Sequence, residues 1–62
     1  MSEEDYYKVF KILIDGTYPA PDQLVEEVEE AYGIRLPPDA AHRMVLRFIN
    51  RHTAELQEDH IA

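Results

Sequence analysis

The sequence contains no cysteine among its 62 residues. Disulfides and thiolate zinc sites are therefore excluded, although both are common ways to stabilise a small domain. A chain this short buries only about 60% of the surface that it exposes when unfolded. Its stability must then come from regular packing of helices or from self-association.

Long hydrophobic segments are also missing. No unbroken apolar run exceeds three residues, whereas a helix that crosses a membrane needs about 20. The first residues, MSEEDYYK, are acidic, and the apolar segment of a secretory signal does not follow them. We therefore expect a cytoplasmic protein with no membrane partner.

Basic residues are scarce, with 6 Lys and Arg against 13 Asp and Glu, and the formal net charge is −7. The charge is unevenly distributed: residues 1–34 carry −7, residues 35–51 carry +3 and residues 52–62 carry −3. The negative total repels nucleic acids and anionic membranes at long range, so it disfavours both as partners. A local positive surface between residues 35 and 51 is still compatible with this total.

Helical periodicity dominates the rest of the sequence. Apolar residues at intervals of three and four predict helices over about 3–15, 21–32 and 38–58. No segment has the alternating pattern of a strand. The sequence thus predicts an all-α fold, a compact three-helix domain over residues 1–62 with a C-terminal tail that frays from about residue 59.

Residues at the ends of these segments have the chemistry of helix termini. Ser2 and Asp5 match a capping box at the start of the first helix, and Pro21 suits the first position of the second. Gly16 and Gly33 are expected to end the first and second helices, because glycine readily adopts the left-handed conformation found there.

Each predicted helix has one apolar face. Tyr7 flanks the first face, and Ile12 and Leu46 lie outside the faces of their helices. His52 falls in the middle of the third face, where we expect a packed or boundary histidine. The three faces consist of Tyr6, Val9, Phe10 and Leu13; of Leu24, Val28, Ala31 and Tyr32; and of Ala41, Met44, Val45, Phe48, Ile49 and Leu56.

Residues that support catalysis or metal binding are few. No Ser, Cys or Lys stands beside a histidine as an activated nucleophile does, and the paired glutamates of the second helix fall on its solvated side. His52 and Glu55 have the spacing of two metal ligands on one helix, but a closed site needs about four. We therefore expect a protein that is not an enzyme, with no small-molecule substrate, no cofactor and no bound metal.

The third helix contains a basic stripe, although the protein as a whole is acidic. Arg43, Arg47 and Arg51 follow one another at intervals of four, with Asn50 beside them and Leu46 beyond the border of the stripe. Side chains at this spacing project from one side of a helix. These five residues are the predicted binding site.

The alternative interpretation of the stripe is internal charge balance. Arg51 and Glu55 have the i, i+4 spacing of an ion pair along one helix, although an exposed pair contributes only about 0–1 kcal/mol. The stripe would otherwise face the four glutamates of the second helix, Glu26, Glu27, Glu29 and Glu30.

Three functions are compatible with these observations. We expect a small acidic protein-interaction or regulatory module that acts through the outer side of helix 3, on another protein or on a second copy of itself in a homodimer. The first alternative is a DNA-binding regulator, because helices 2 and 3 follow one another as in a helix-turn-helix, and Arg and Asn read guanine and adenine. The second is an acidic decoy that inhibits a nucleic-acid-binding protein through the glutamates of helix 2.

Overall fold

Three helices account for the fold of the chain. The computed structural model describes the backbone of residues 2–61 and the side chains of residues 2–57. Its elements are α1 (Glu3–Leu13), α2 (Pro21–Tyr32) and α3 (Pro38–Ile61), and the described residues form no strand. The predicted all-α domain of three helices is therefore confirmed.

Helix α1 begins as predicted and ends earlier than predicted. The backbone N–H of Ser2 donates a hydrogen bond to Oδ2 of Asp5 at 3.2 Å, which is one half of the expected capping box. The helix ends at Leu13, and Ile14 is already extended, with φ −69° and ψ 121°. The predicted end is thus too late, because Ile14 leaves the helix to pack against the core. Gly16, with φ 78°, lies in the turn that follows.

Helix α2 has the ends that the sequence predicts. Pro21 is its first residue, and the side-chain carbonyl of Gln23 accepts a hydrogen bond from the backbone N–H of Ala20 at 2.9 Å. Gly33 follows the last turn in the left-handed conformation, with φ 69°, and its N–H donates to the carbonyl of Glu29 at 2.8 Å. This is the arrangement in which glycine is preferred at the end of a helix.

Helix α3 is the longest element, with 24 residues. It continues to Ile61, which is later than the predicted helix end near residue 58. The reason is that no glycine or proline follows Pro38 to stop the helix. The fraying of the tail from about residue 59 stays a prediction. Ala62, the last residue of the predicted tail, lies outside the described residues. No helix in the described part of the chain is long and apolar enough to cross a membrane.

An aromatic cluster lies at the centre of the core. The ring of Phe48 on α3 packs against two rings of α1, with centroid distances of 5.0 Å to Tyr7 and 5.3 Å to Phe10. Helix α2 contributes Leu24 and Val28, which are fully buried. The buried hydrophobic residues are Tyr7, Val9, Phe10, Leu24, Val28, Leu36, Ala41, Met44, Val45 and Phe48.

Some positions of the predicted apolar faces differ in the structure. Tyr7 is the buried tyrosine of α1, with 1% of its surface exposed, and Tyr6 is only partly buried. Ala31 and Tyr32 are exposed at the end of α2, and Leu56 is exposed in the second half of α3, although all three were expected in the core. Periodicity locates the inward stripe of a helix, but it does not say how far along that stripe the neighbouring helices reach.

Candidate functional site

The predicted arginine stripe is contacted by the first turn of α1. Arg47 donates a hydrogen bond to Glu3, and Nη2 of Arg51 lies 2.8 Å from Oε1 of Glu4. Internal charge balance therefore exists for these two arginines, but its interhelical partners lie on α1 and not on α2. Both arginine side chains remain partly exposed, so each pair on its own contributes little to stability.

Arg51 belongs to a cluster built around the ring of Tyr7. Its guanidinium carbon lies 4.0 Å from the ring centroid, and Nζ of Lys11 lies 4.9 Å from it. The Tyr7 hydroxyl donates a hydrogen bond of 2.5 Å to Glu55, and Nε of Arg51 lies 3.6 Å from the second oxygen of that carboxylate. We call Glu4, Tyr7, Lys11, Arg51 and Glu55 the Tyr7 cluster, and it attaches α1 to α3.

The Tyr7 cluster shifts the pKa values of three of its members. Burial, and then the hydrogen bond to Glu55, raises the pKa of Tyr7 from 10.0 to about 12. The same hydrogen bond is the main reason why the pKa of Glu55 falls below its usual value, and the charge of Arg51 acts in the same direction. The hydrogen bond to Glu4 raises the pKa of Arg51. All three shifts lead away from neutrality, whereas acid–base catalysis requires a pKa near the working pH.

The other three predicted residues are exposed to solvent. Leu46 has 52% of its surface exposed, and Arg43 and Asn50 are exposed on the same helix. Within the part of the chain that the structure describes, Arg43 takes part in no ion pair. We call Arg43, Leu46 and Asn50 the Leu46 patch. The structure thus divides the predicted site: two of its arginines hold α1, and the Leu46 patch is accessible to a partner.

Leu56 is a surface residue that the sequence analysis placed in the core. It has 55% of its surface exposed, almost the same fraction as Leu46. The unequal lengths of the helices indicate this exposure. Helices α1 and α2 have 11 and 12 residues, against 24 in α3, so neither can cover α3 from end to end.

A second side-chain cluster surrounds His52. The hydroxyl of Tyr18, from the loop between α1 and α2, lies within hydrogen-bond distance of Nδ1 of His52 at 3.1 Å and of Oγ1 of Thr53 at 3.3 Å. The rings of Tyr18 and His52 meet edge to face at 5.6 Å. The predicted boundary position of His52 is confirmed. The pocket beside these rings measures about 280 Å³, which is below the roughly 300–1,000 Å³ of typical ligand sites.

His52 and Glu55, the two residues with metal-ligand spacing, are engaged in other contacts. Among the described residues, no three histidine or acidic side chains are grouped as metal ligands. His52 lies against the Tyr18 hydroxyl. Glu55 accepts the hydrogen bond from Tyr7 and faces Arg51. The two residues with metal-ligand spacing in the sequence therefore have different partners in the fold.

The glutamates of α2 form an open acidic surface. Glu29 lies 3.9 Å from Arg35, at the limit of an ion pair. Within the described residues, none of these glutamates forms an ion pair with the arginine stripe. The surface contains an open depression of about 430 Å³ lined by Glu26, Glu27, Glu29 and Glu30.

Comparisons with known proteins add no assignment: no family model, no curated protein and no solved structure matches this chain.

Proposed function

We propose that this protein is a small, non-enzymatic interaction module that binds another protein through the Leu46 patch of α3. The observation that supports the proposal best is the setting of Leu46, an aliphatic side chain with 52% of its surface exposed. Arg43 and Asn50 border it on the same helix and are exposed as well. An apolar centre with a polar rim that includes arginine is typical of protein interfaces.

The proposed binding surface is smaller than the five residues of the original prediction. Arg47 and Arg51 are engaged by Glu3 and Glu4, so both already have partners within the chain. Arg43 is the arginine of the stripe that remains available for a partner. A partner with an acidic group beside an apolar groove would complement Leu46 and Arg43 together.

The DNA-binding alternative stays a prediction, and the geometry supports it less than it supports binding to a protein. Binding to the phosphate backbone depends on several unpaired cations, whereas the carboxylates of α1 neutralise two of the three arginines in the stripe. This alternative predicts a salt-sensitive shift of duplex DNA that is lost in Arg43→Ala. The absence of any shift at about 50 mM salt, where phosphate attraction is strong, would remove it.

The acidic-decoy alternative also stays a prediction. It is supported by the open surface of α2, where Glu26, Glu29 and Glu30 are exposed. It predicts that the protein binds a nucleic-acid-binding protein and that DNA competes for the same site. Binding that DNA did not displace would contradict it.

A photoreactive residue placed at position 46 tests the proposed function in intact cells. The matched control carries the same residue at position 12, because Ile12 is a branched aliphatic residue with 79% of its surface exposed on α1. We expect a discrete protein adduct from position 46, none from position 12, and loss of the adduct when Arg43→Glu is added. Identical adducts from both positions, or none from position 46, would overturn the proposal.

A further inference from the structure

Arg47 is attached to α1 by a single side chain. Within the described residues its one hydrogen-bond and ion-pair partner is Glu3, and the side chains of Arg47 and Glu3 are 62% and 51% exposed. Arg51, one turn further along α3, is held by two carboxylates and by the ring of Tyr7. Of the two arginines that α1 engages, Arg47 is therefore the one that can exchange its partner.

Arg47 also lies directly beside the Leu46 patch. It follows Leu46 in the sequence, four residues after Arg43 and three residues before Asn50. Side chains at intervals of three and four residues are neighbours on one side of a helix. Release of Arg47 by Glu3 therefore adds a second positive charge to the Leu46 patch.

We propose that Glu3 autoinhibits the Leu46 patch by covering Arg47, and that a carboxylate of the partner displaces it. The inference rests on the proposed function. It deepens that function by naming the chemistry of the partner, an acidic segment of another protein, and the contact that regulates its binding. A guanidinium group pairs strongly with a carboxylate, and Glu3 occupies this position in the free chain. The covering side chain thus has the same chemistry as the group that replaces it.

The charge of the chain favours an acidic protein segment over a nucleic acid as the partner. Release of Glu3 makes two arginines available, Arg43 and Arg47, whereas binding to a phosphate backbone depends on several cations. The net charge of −7 repels a dense polyanion at long range. A segment with two or three carboxylates meets less of this repulsion, and the local pair of arginines is sufficient for it.

The exchange at Arg47 requires little energy, because exposed ion pairs are weak. A closed cover lowers the apparent affinity of a partner by the fraction of molecules that are open, and an exposed pair limits this effect to about fivefold. The core does not have to move, since the buried residues of α1 begin at Tyr7, after the turn that contains Glu3. The cover therefore tunes the affinity of the Leu46 patch and does not block it.

Fluorescence anisotropy with a labelled hexaglutamate peptide, at low ionic strength, tests the cover on the purified full chain. We expect Glu3→Gln to bind the peptide about two- to fivefold more tightly than the parent, because Arg47 is then released. Glu4→Gln is the matched control, since it makes the same change of charge in the same turn while Arg51 keeps its other contacts. Glu30→Gln makes that change at an exposed position of α2. Equal gains in all three variants would reveal an effect of net charge alone and would overturn the inference.

Substitution of Arg47 tests the same contact from the other side. The double variant Glu3→Gln/Arg47→Gln has the net charge of the parent, and we expect it to lose the gain of Glu3→Gln. Arg47→Gln alone should bind the peptide more weakly than the parent does. Both positions are exposed, so the helical circular dichroism of each variant should match the parent. A double variant that binds as tightly as Glu3→Gln, or an Arg47→Gln that binds like the parent, would overturn the inference.

The inference and the proposed function fail in different ways. A protein adduct from position 46, together with no gain of peptide affinity in Glu3→Gln, overturns the autoinhibition and leaves the interaction module supported. No adduct from position 46 overturns the proposed function and the inference with it. A short DNA duplex in place of the peptide separates the two kinds of acidic partner. Tighter binding of the duplex than of the peptide by Glu3→Gln would assign the site to nucleic acid and would overturn the acidic protein segment.

Discussion

The hydroxyl of Tyr7 donates a hydrogen bond to a carboxylate oxygen of Glu55, 48 residues further along the chain. The ring of Tyr7 is part of the core, whereas Glu55 lies on the half of α3 that follows the last buried residue. One side chain thus joins the packing of the core to the charged contacts between α1 and α3. Since a helix of 11 residues is marginal by itself, α1 depends on contacts of this kind.

Replacement of Tyr7 by phenylalanine should destabilise the protein by about 1 kcal/mol, because it removes the hydrogen bond and keeps the ring in the core. Urea denaturation followed by circular dichroism measures the effect as a lower midpoint at an unchanged slope. Tyr32→Phe is the matched control, because Tyr32 is partly exposed and makes no side-chain hydrogen bond within the described residues. Equal midpoints for the two variants would contradict a structural role of the hydrogen bond.

The raised pKa of Tyr7 makes stability fall at alkaline pH. The pKa is 10.0 in the unfolded chain and about 12 in the folded one, so between these values the folded state holds a proton that the unfolded state has released. The contribution of Tyr7 to the free energy of unfolding is fully present below pH 10. It decreases between pH 10 and about pH 12, by at most about 1.4 kcal/mol per pH unit. Urea midpoints measured from pH 9 to pH 11.5 should fall more steeply for the parent and for Tyr32→Phe than for Tyr7→Phe. Parallel curves for all three proteins would refute this assignment.

The helix ends were predictable because local chemistry determines them. Ser2 with Asp5, Pro21 and Gly33 all act within one turn of the chain, and the structure has each of them in its predicted place. The rotation of α1 was not predictable in the same way. Tyr6 and Tyr7 are adjacent on the helix, and the choice between them depends on contact with Phe48, which is distant in sequence.

The candidate site shows the same division between local and distant contacts. The pair of Arg51 and Glu55 follows from their i, i+4 spacing, and the structure has it at 3.6 Å. The pairs with Glu3 and Glu4 depend on how α1 docks, and sequence periodicity carries no information about docking. The sequence indicated a counter-charge for the arginines but placed it on α2, whereas α1 supplies it.

Arg51 and Arg43 should differ in their effect on stability although both are arginines on one helix. Arg51 contacts Glu4, Glu55 and the Tyr7 ring, while Arg43 is exposed. We expect Arg51→Ala to lower the urea midpoint clearly, and Arg43→Ala to stay within about 0.5 kcal/mol of the parent. Arg51→Lys should fall between them, because lysine keeps the charge and lacks the planar group that stacks on the ring. Equal midpoints for Arg51→Ala and Arg43→Ala would contradict the Tyr7 cluster.

Phe48 should be the most sensitive position of α3, because its ring contacts Tyr7 and Phe10 at the centre of the core. Phe48→Ala is expected to cost about 3–5 kcal/mol, which is as much as the core of a domain this small supplies. The variant should therefore lose its helical circular dichroism at 25 °C without denaturant. Ile12→Ala is the control, because it also truncates a large hydrophobic side chain to alanine, but at a position that is 79% exposed. Its stability should stay within about 0.5 kcal/mol of the parent. A folded Phe48→Ala with a midpoint near that of Ile12→Ala would show that the three helices do not depend on this ring for their packing.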